Sequence, residues 1–212
     1  MSSTTVLLAR HGETDLNRDH VIQGGGVDAE INALGRQQAA LLGAELARRF
    51  DITAMYSSTL RRAKQTASIV GDKLGLQPGV EKDLEEMNFG DWEGLRREDV
   101  IDGIREIYGR WSEGESDLRL PNGESPDDVV ARSRPKVEEI ADRHSGSTVL
   151  LILHGRMMRI LISNLLSRSA SVLNKGIIKN TAWYELKWDG KGFELVHENM
   201  AGHLESLSEP TA

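Results

Sequence analysis

Short apolar runs of strand length recur along this chain, separated by segments with the periodicity of amphipathic helices. Residues 5–9, 52–56 and 148–153 are almost continuously apolar, which is typical of strands that helices cover on both faces. Residues 182–188 and 193–197 alternate between apolar and polar side chains around an Asp-Gly-Lys-Gly turn, and this pattern predicts a β-hairpin. The sheet is therefore expected to be mixed, with the hairpin near its edge.

Helices are predicted between these strands. Asn32 and Thr59 stand as capping residues before two periodic segments. Ser125-Pro126 begins another helix, because a capping hydroxyl, a proline and two acids mark a helix N-terminus, and a further helix covers about residues 155–167. The alternation predicts an α/β fold, a three-layer α/β/α sandwich with a mostly parallel mixed central sheet.

The organisation of the chain is predicted to be simple. Its 212 residues, 39% of them hydrophobic, suit one domain over residues 1–204, followed by a disordered tail at 205–212. Residues 96–122 lack clear periodicity and are expected to form a lid-like insertion over a site. Their aromatics, Tyr108 and Trp111, either face a ligand or form a satellite core beneath a loop.

Composition excludes several classes of function. The net charge of −7 argues against nucleic acid as a partner, because such proteins usually carry a basic face. The chain has no cysteine, which excludes disulfides and a Cys-based metal site or nucleophile. It has neither an export signal nor a run of about 20 apolar residues for a membrane, so a cytoplasmic location is expected. Nothing in the sequence decides whether it forms a homo-oligomer.

Two of the apolar strands end in the same way. Residues 5–9 run into Arg10-His11-Gly12, and residues 148–153 run into His154-Gly155. One such histidine would be read as a hydrogen-bonded residue at a strand end, but two equivalent cases weaken that interpretation. Ligands bind outside the carboxyl ends of strands in open α/β sheets, so the two histidines are expected side by side.

A third element of the same site follows residues 52–56. The stretch 57–67 joins a strand end to a helix start, where backbone N–H groups favour an anion. Arg62, one turn into that helix, has a guanidinium suited to a phosphate oxygen. Arg61 and Lys64 are interpreted as a solvated helix face instead. The sequence thus predicts a local anion pocket in an acidic protein.

Five short motifs, in this order, cover most of the chain. They are Arg10-His11-Gly12-Glu13-Thr14 with Asn17, Gln23-Gly24, Ser57-Ser58 with Arg62-Ala63 and Thr66-Ala67, Gly90-Asp91-Trp92-Glu93-Gly94, and His154-Gly155. One tripeptide would be weak evidence, but the ordered set is specific. From about residue 6 to 204 the chain resembles the histidine phosphatase superfamily, in its phosphoglycerate mutase-like branch. The resemblance implies the same sandwich fold, with the site at the carboxyl ends of the strands.

The resemblance also assigns roles. It implies that His11 is a nucleophile that forms a phosphohistidine, with Arg10, Arg62 and His154 around the phosphate oxygens. The other residues that it places at the phosphate are Asn17, Gln23, Gly24 and Gly155. It requires no metal and no cofactor, which agrees with the absence of a recognisable ligand motif. The remaining histidines, His20, His144, His197 and His203, are interpreted as surface or structural residues.

The proton donor is expected before the Gly-Asp-Trp-Glu-Gly segment. Glu86 takes the family position, and Glu85 is the alternative. The form of this segment favours a phosphomonoester hydrolase acting on small phosphorylated metabolites, with a small-molecule phosphate ester as partner. A cofactor-dependent phosphoglycerate mutase and an inactive phospho-ligand binder remain alternatives. The loop after Gly24 is one residue longer than usual, and Arg156 stands where relatives commonly have a small residue.

Overall fold

A computed structural model describes residues 3–167 and 177–207. The strands of this part are β1 Thr4–Arg10, β2 Ile52–Ser57, β3 Gly79–Val80, β4 Thr148–Leu153, β5 Trp183–Trp188 and β6 Phe193–Met200. The α-helices are α1 Asp15–Arg18, α2 Ala33–Arg49, α3 Arg61–Leu74, α4 Ile101–Ser112, α5 Pro126–Arg143 and α6 Gly155–Leu165. Short 3-10 helices cover Lys82–Leu84, Gly90–Trp92, Arg97–Val100 and Gly202–Leu207.

The described strands form one sheet in the order β3-β2-β4-β1-β5-β6. Strands β1 to β4 run parallel to one another, whereas β5 pairs antiparallel with both β1 and β6. The turn between β5 and β6 is held by Asp189, whose carboxylate accepts from the N–H groups of Lys191 and Gly192. The mixed, mostly parallel sheet and the hairpin at its edge are therefore as predicted.

Alternate residues of β1 face two different helical layers. Leu7 and Ala9 pack into a buried cluster with α2 and α3, while Val6 and Leu8 pack into another with α5 and α6. All four side chains are fully buried, because a central strand in such a sheet has no solvent face. The three-layer α/β/α sandwich is confirmed.

The predicted helix caps have different outcomes. Asn32 accepts from the N–H of Gly35 at 2.8 Å, and Ser125 forms a capping box at the start of α5. The cap at Thr59 is wrong: α3 begins at Arg61, with extended Leu60 before it and no side-chain cap. The Thr59 hydroxyl donates instead to the carboxylate of Glu85, so a tertiary hydrogen bond replaces the local one.

The expectation of an irregular segment at 96–122 is also corrected, because the segment contains the 3-10 helix Arg97–Val100 and helix α4. Ile104, Tyr108 and Trp111 follow an amphipathic spacing along α4, and all three are buried in the core cluster that covers the α5–α6 face of the sheet. The indole N–H of Trp111 donates to the carbonyl of Leu118 at 2.8 Å. This segment is therefore a packed helix with its own apolar face.

The C-terminal region is described as far as residue 207. Glu205 to Leu207, assigned to the tail from the sequence, belong to the 3-10 helix Gly202–Leu207. The rest of that predicted tail, 208–212, lies outside the described residues. No helix within 3–167 or 177–207 has the length and apolar character needed to cross a membrane.

Candidate active site

The two strand-end histidines lie next to each other at the carboxyl edge of the sheet. Strands β1 and β4 are parallel neighbours, and Arg10 is in register with Leu153. The backbone N–H of His11 donates to the carbonyl of Leu153 at 2.9 Å. The rings of His11 and His154 are buried, with centroids 5.2 Å apart. The sheet register thus brings together two motifs that are far apart in sequence.

The hydrogen bonds of His11 define its tautomer. Its Nδ1 lies 2.7 Å from the carbonyl oxygen of Gly12, and because a carbonyl can only accept, Nδ1 carries the proton. The lone pair is therefore on Nε2. Burial lowers the pKa of His11 well below its ordinary value, and the positive charges of Arg62 and Arg10 lower it further. The imidazole is neutral and has the electron pair a nucleophile needs.

A second chain of hydrogen bonds orients His154. The backbone N–H of Leu60 donates to the hydroxyl of Ser58 at 3.3 Å, and this hydroxyl lies 2.6 Å from Nε2 of His154. With the Ser58 hydroxyl as the donor to Nε2, the His154 proton lies on Nδ1. That Nδ1 is buried and has no hydrogen-bond partner among the described residues.

Arg10 and Arg62 use only some of their guanidinium N–H groups in hydrogen bonds to backbone carbonyls. Arg10 donates from Nη1 to the carbonyl of Ile178 at 2.7 Å. Arg62 donates to the carbonyls of Val27 and Gly24 at 2.7 and 2.8 Å. In the part of the chain that the structure describes, Nε of each arginine is buried without a partner. Burial lowers the pKa of Arg10 to about 10, so its guanidinium is still charged at neutral pH.

The glycine-rich loop after Gln23 is held from both sides. Arg62 binds its carbonyls, while Glu93 accepts from the N–H of Gly26 at 2.9 Å. Gly24 has a φ of 56°, and a Cβ there would lie 1.9 Å from Glu93 Oε1, so only glycine fits. Glu93, from the Gly90–Gly94 motif, thus supports the glycine-rich loop that begins at Gln23. Sequence reasoning did not identify this contact, because no local pattern links residues that far apart.

Glu86 and Glu85 point to different surroundings. Oε1 of Glu86 accepts from the N–H groups of Met87 and Met157 at 2.9 and 2.7 Å, and Oε2 accepts from that of Arg156 at 3.1 Å. Glu86 therefore sits at the N-terminus of α6 and lines the cavity. Glu85 binds Thr59 and is not among the lining residues. The geometry favours Glu86 as the candidate acid.

One arginine holds the segment that carries Glu86. Arg132, on α5, donates to the carbonyls of Asp83 and Glu85 at 2.9 Å and to that of Glu86 at 3.2 Å. Its guanidinium also binds both carboxylate oxygens of Glu124, at 2.8 and 3.0 Å. Sequence reasoning gave no indication of this residue. Arg132 fixes the backbone on which the candidate acid stands.

These groups surround a cavity of about 960 Å³, at the upper end of the usual range for small-molecule sites. Of the predicted site residues, those that line it are Arg10, His11, Asn17, Gln23, Gly24, Arg62, Glu86 and Gly155. His154 is not among the lining residues and is fully buried beside His11. His20, expected to be a surface or structural residue, also lines the cavity.

The cavity carries a strong positive charge within an acidic protein. Among the described residues that line it, the arginines are Arg10, Arg62, Arg97, Arg105, Arg156 and Arg159, and the acids are Glu13 and Glu86. Such a concentration of positive charge attracts small anions despite the net charge of the whole chain. Ile101, Ile104 and Tyr108 have the spacing of one helix face, and this spacing could have predicted from the sequence that α4 lines the cavity and contributes Arg105.

The other histidines have separate partners. His144 bonds to the hydroxyl of Tyr56, and His203 bonds to that of Thr181. His197 pairs with Glu185. Within residues 3–167 and 177–207, no group of three or more His, Cys, Asp or Glu side chains has an arrangement that could hold a metal ion.

Known proteins resemble this chain over most of its length. Residues 6–201 match the histidine phosphatase superfamily (branch 1). The chain is 35% identical over 158 residues to phosphoglycerate mutase-like protein 4 of Arabidopsis thaliana, covering 74% of this chain and 68% of that protein. It is 29% identical over 210 residues to the metal-independent phosphoserine phosphatase of Arabidopsis thaliana, covering 95% and 86%.

A solved structure of a mycobacterial glucosyl-3-phosphoglycerate phosphatase, complexed with VO3, superposes with a TM-score of 0.83 at 32% identity, covering 93% of this chain and 99% of the other. The chain spans about half, 46%, of the length of a bifunctional protein of Mycobacterium tuberculosis to which it is 36% identical over 170 residues. The resemblance drawn from the ordered motifs is confirmed. The chain belongs to the histidine phosphatase superfamily.

Proposed function

We propose that this protein is a metal-independent phosphomonoester hydrolase that acts on small phosphorylated metabolites through a phosphohistidine intermediate. The observation that carries the proposal is the state of His11: neutral, with Nδ1 bound to the Gly12 carbonyl and its Nε2 lone pair available. A neutral nucleophile avoids the charge repulsion that slows attack on a phosphate ester. The phosphatases among the relatives named above support the same reaction.

In the first step, Nε2 of His11 attacks phosphorus and forms an N–P bond as the ester P–O bond breaks. The Nε groups of Arg10 and Arg62 and the Nδ1–H of His154 are buried donors without protein partners in the described structure, and they bind the non-bridging oxygens. Such donors, fixed in place before the reaction, stabilise the charge of the transition state. The leaving alkoxide takes the proton of the Glu86 carboxyl group.

In the second step, the Glu86 carboxylate removes a proton from water, and the resulting hydroxide attacks the phosphohistidine. The N–P bond breaks, inorganic phosphate leaves, and His11 and Glu86 return to their starting protonation states. In the described structure, Oε2 of Glu86 accepts one hydrogen bond, from the backbone N–H of Arg156, whereas Oε1 accepts two, from the backbone N–H groups of Met87 and Met157. We assign the proton transfer to Oε2, the less engaged oxygen.

Two alternatives make different predictions. A phosphoglycerate mutase, which the name of one relative favours, would interconvert 3- and 2-phosphoglycerate in the presence of catalytic 2,3-bisphosphoglycerate. A non-catalytic binder would be expected to lack a core group, yet the chain has His11, His154, Arg10, Arg62 and Glu86. Hydrolysis accounts for the whole set of groups without a cofactor or a metal.

The test is a phosphate-release screen over a panel of monoesters, with His11→Ala as the control. We expect the parent to release phosphate and to form an acid-labile phosphoenzyme that a rapid quench traps, and we expect the variant to do neither. Equal rates for parent and variant would show that His11 is not the nucleophile. Interconversion of phosphoglycerates without phosphate release would favour the mutase.

Three further points belong to this proposal. Residues 1–204 act as one domain, in which 96–122 covers the cavity as a lid. The partner is a small-molecule phosphate ester and not nucleic acid, which the net charge of −7 supports. The protein works in the cytoplasm.

A further inference from the structure

The carbonyl that fixes the His11 tautomer belongs to the peptide unit between Gly12 and Glu13. Its oxygen lies 2.7 Å from Nδ1 of His11, and the N–H of the same unit, on Glu13, donates to Oε1 of Gln38 at 2.9 Å. The oxygen and the hydrogen of a trans peptide point in opposite directions from one planar unit. Gln38 therefore reaches the candidate nucleophile through a single rigid group.

The packing of α2 places Gln38 at this peptide. Gln38 follows Gly35 by one turn on the buried face of the helix, and its side chain is 8% exposed. A Cβ on Gly35 would lie 2.2 Å from the carbonyl oxygen of Glu13, and a Cβ on Gly12 would lie 2.5 Å from that of Gly35. The two glycines let the backbone of α2 touch the residues after His11, and this contact brings Oε1 of Gln38 to the Glu13 N–H.

The partner of Gln38 defines the orientation of its amide group. A backbone N–H can only donate, so the N–H of Glu13 faces the amide oxygen and not the amide nitrogen. Because Gln38 is buried, water would replace this acceptor incompletely if the side chain lost it. The Glu13 N–H would then be left without a full hydrogen bond, and the peptide would be free to rotate.

The neighbouring peptide units have anchors of their own. The N–H of Gly12 donates to Oγ1 of Thr66 at 2.9 Å, and the carbonyl of Glu13 accepts from the N–H of Asn32 at 2.8 Å. These contacts hold the chain before and after the Gly12–Glu13 unit. Loss of the Gln38 oxygen would therefore disturb the one unit that binds His11 and leave its neighbours in place.

We propose that Gln38 is a positioning residue for His11: its amide oxygen holds the Gly12–Glu13 peptide in the orientation that keeps the proton on Nδ1 and the lone pair on Nε2. The inference rests on the proposed phosphatase function and adds a residue to the same site. Gln38 does not need to touch the substrate, because it acts through the peptide.

The contribution of Gln38 is larger in the transition state than in the ground state. As Nε2 forms its bond to phosphorus, the ring gains positive charge, and the hydrogen bond from Nδ1–H to the Gly12 carbonyl becomes charge-assisted and stronger. Hydrogen bonds in a chain polarise one another, so the bond from Glu13 to Gln38 makes that carbonyl a better acceptor. Such an interaction lowers the barrier to phosphorylation of His11.

The first test measures catalysis with p-nitrophenyl phosphate, whose leaving group needs no proton from Glu86. Gln38→Met removes the acceptor but keeps the length of the side chain. It should lower kcat/KM roughly 10-fold and Tm by about 2–4 °C. Gln38→Glu keeps an oxygen at the same position and should restore most of the lost rate.

The matched control is Gln37→Met, the same substitution at the neighbouring, exposed position of α2. It should leave both kcat/KM and Tm unchanged. Equal losses of kcat/KM in Gln37→Met and Gln38→Met would overturn the inference. A Gln38→Glu variant as slow as Gln38→Met would also overturn it, because the loss would then come from packing and not from the acceptor.

The second test observes the His11 ring directly and needs no substrate. In protein that contains ¹⁵N-labelled histidine, NMR distinguishes protonated from bare ring nitrogens, and His11→Asn identifies the His11 signals by their loss. We expect a downfield Nδ1–H signal in the parent, an upfield shift or the Nε2–H tautomer in Gln38→Met, and a further downfield shift in Gln38→Glu. If Gln38→Met does not fold, the shift in Gln38→Glu decides, and an unshifted signal there would refute the role of Gln38.

The NMR measurement separates this inference from the proposed function. If the parent released phosphate from no monoester but the two variants shifted the His11 signals in opposite directions, the hydrolase proposal would fail and the positioning role would stand. If the parent released phosphate and the His11 signals were the same in every Gln38 variant, the positioning role would fail and the hydrolase proposal would stand.

Discussion

Replacing Arg132 with methionine keeps most of the side-chain stem but removes the guanidinium donors through which Arg132 holds the segment that ends at Glu86. Those donors bind the carbonyls of Asp83, Glu85 and Glu86 and both oxygens of Glu124. The side chains of Arg132 and Glu124 are only 21% and 20% exposed, so water replaces the lost partner incompletely. We expect Arg132→Met to lower both stability and activity.

The magnitude follows from these contacts. Removing one partner of a largely buried, hydrogen-bonded charge pair costs several kcal/mol, and partial exposure reduces this to about 3 kcal/mol. For a protein of this size that corresponds to a fall in Tm of roughly 6–12 °C. A displacement of the Glu86 carboxylate by about 1 Å would slow reactions that need its proton by roughly 100-fold.

The assay uses the leaving group to separate these effects. An alkyl phosphate needs the Glu86 proton, whereas p-nitrophenolate leaves without one. We expect Arg132→Met to lower kcat/KM about 100-fold for the alkyl ester and less than about 10-fold for p-nitrophenyl phosphate. Glu86→Gln should show the same contrast between the two substrates.

The matched control is Arg134→Met on the same helix. Arg134 pairs with Glu138 and binds Asn164, and its side chain is 36% exposed, so its loss should cost less than about 1 kcal/mol and leave both rates unchanged. Equal losses on the two esters, or an equal effect of Arg134→Met, would refute the role given to Arg132. Thermal melts and initial rates provide both readouts.

Three further outcomes are expected. Ser58→Ala should lower kcat/KM roughly 10-fold, because the hydroxyl that binds Nε2 of His154 and orients its ring is lost; parental rates would contradict this. Gly24→Ala should weaken competitive inhibition by inorganic phosphate, because its Cβ would lie 1.9 Å from Oε1 of Glu93 and would displace the loop that Arg62 binds. The control is Gly94→Ala, which also has a positive φ, of 81°, but whose Cβ would have nothing within 4 Å, and it should leave the inhibition unchanged. The pKa values of His11 and His154 are lowered in the folded state, so the unfolded chain binds protons first as the pH falls below about 6.5. The free energy of unfolding should therefore be higher at pH 7.5 than at pH 5.5, and the His11→Asn, His154→Asn double variant should reduce that difference in urea titrations.

Helix α4, within the segment 96–122, illustrates why some elements were missed. Tyr108 and Trp111 are spaced as on a helix, but glycines and charged residues dilute the apolar pattern around them. Thr59 shows the opposite error: it is a good capping residue by type, yet its hydroxyl binds Glu85 instead. Local propensity competes with tertiary contacts, and at both places the tertiary contact prevailed.

The sequence by itself determined the central strands, the two histidines at their ends and the family. Apolar runs long enough for strands must be buried, and polar residues directly after them must lie at the sheet edge. These are local properties of the chain, so His11, His154 and Arg62 could be identified without a structure.

Only the tertiary structure decided how those residues are held. The proton on His154 depends on Ser58, the backbone at Glu86 depends on Arg132, and the peptide that binds His11 depends on Gln38. Each pair joins separate elements, and no sequence spacing specifies which side chains meet when strands and helices pack. Residue types set the chemistry that is available, while packing sets the tautomer, the distance and the charge environment in which it operates.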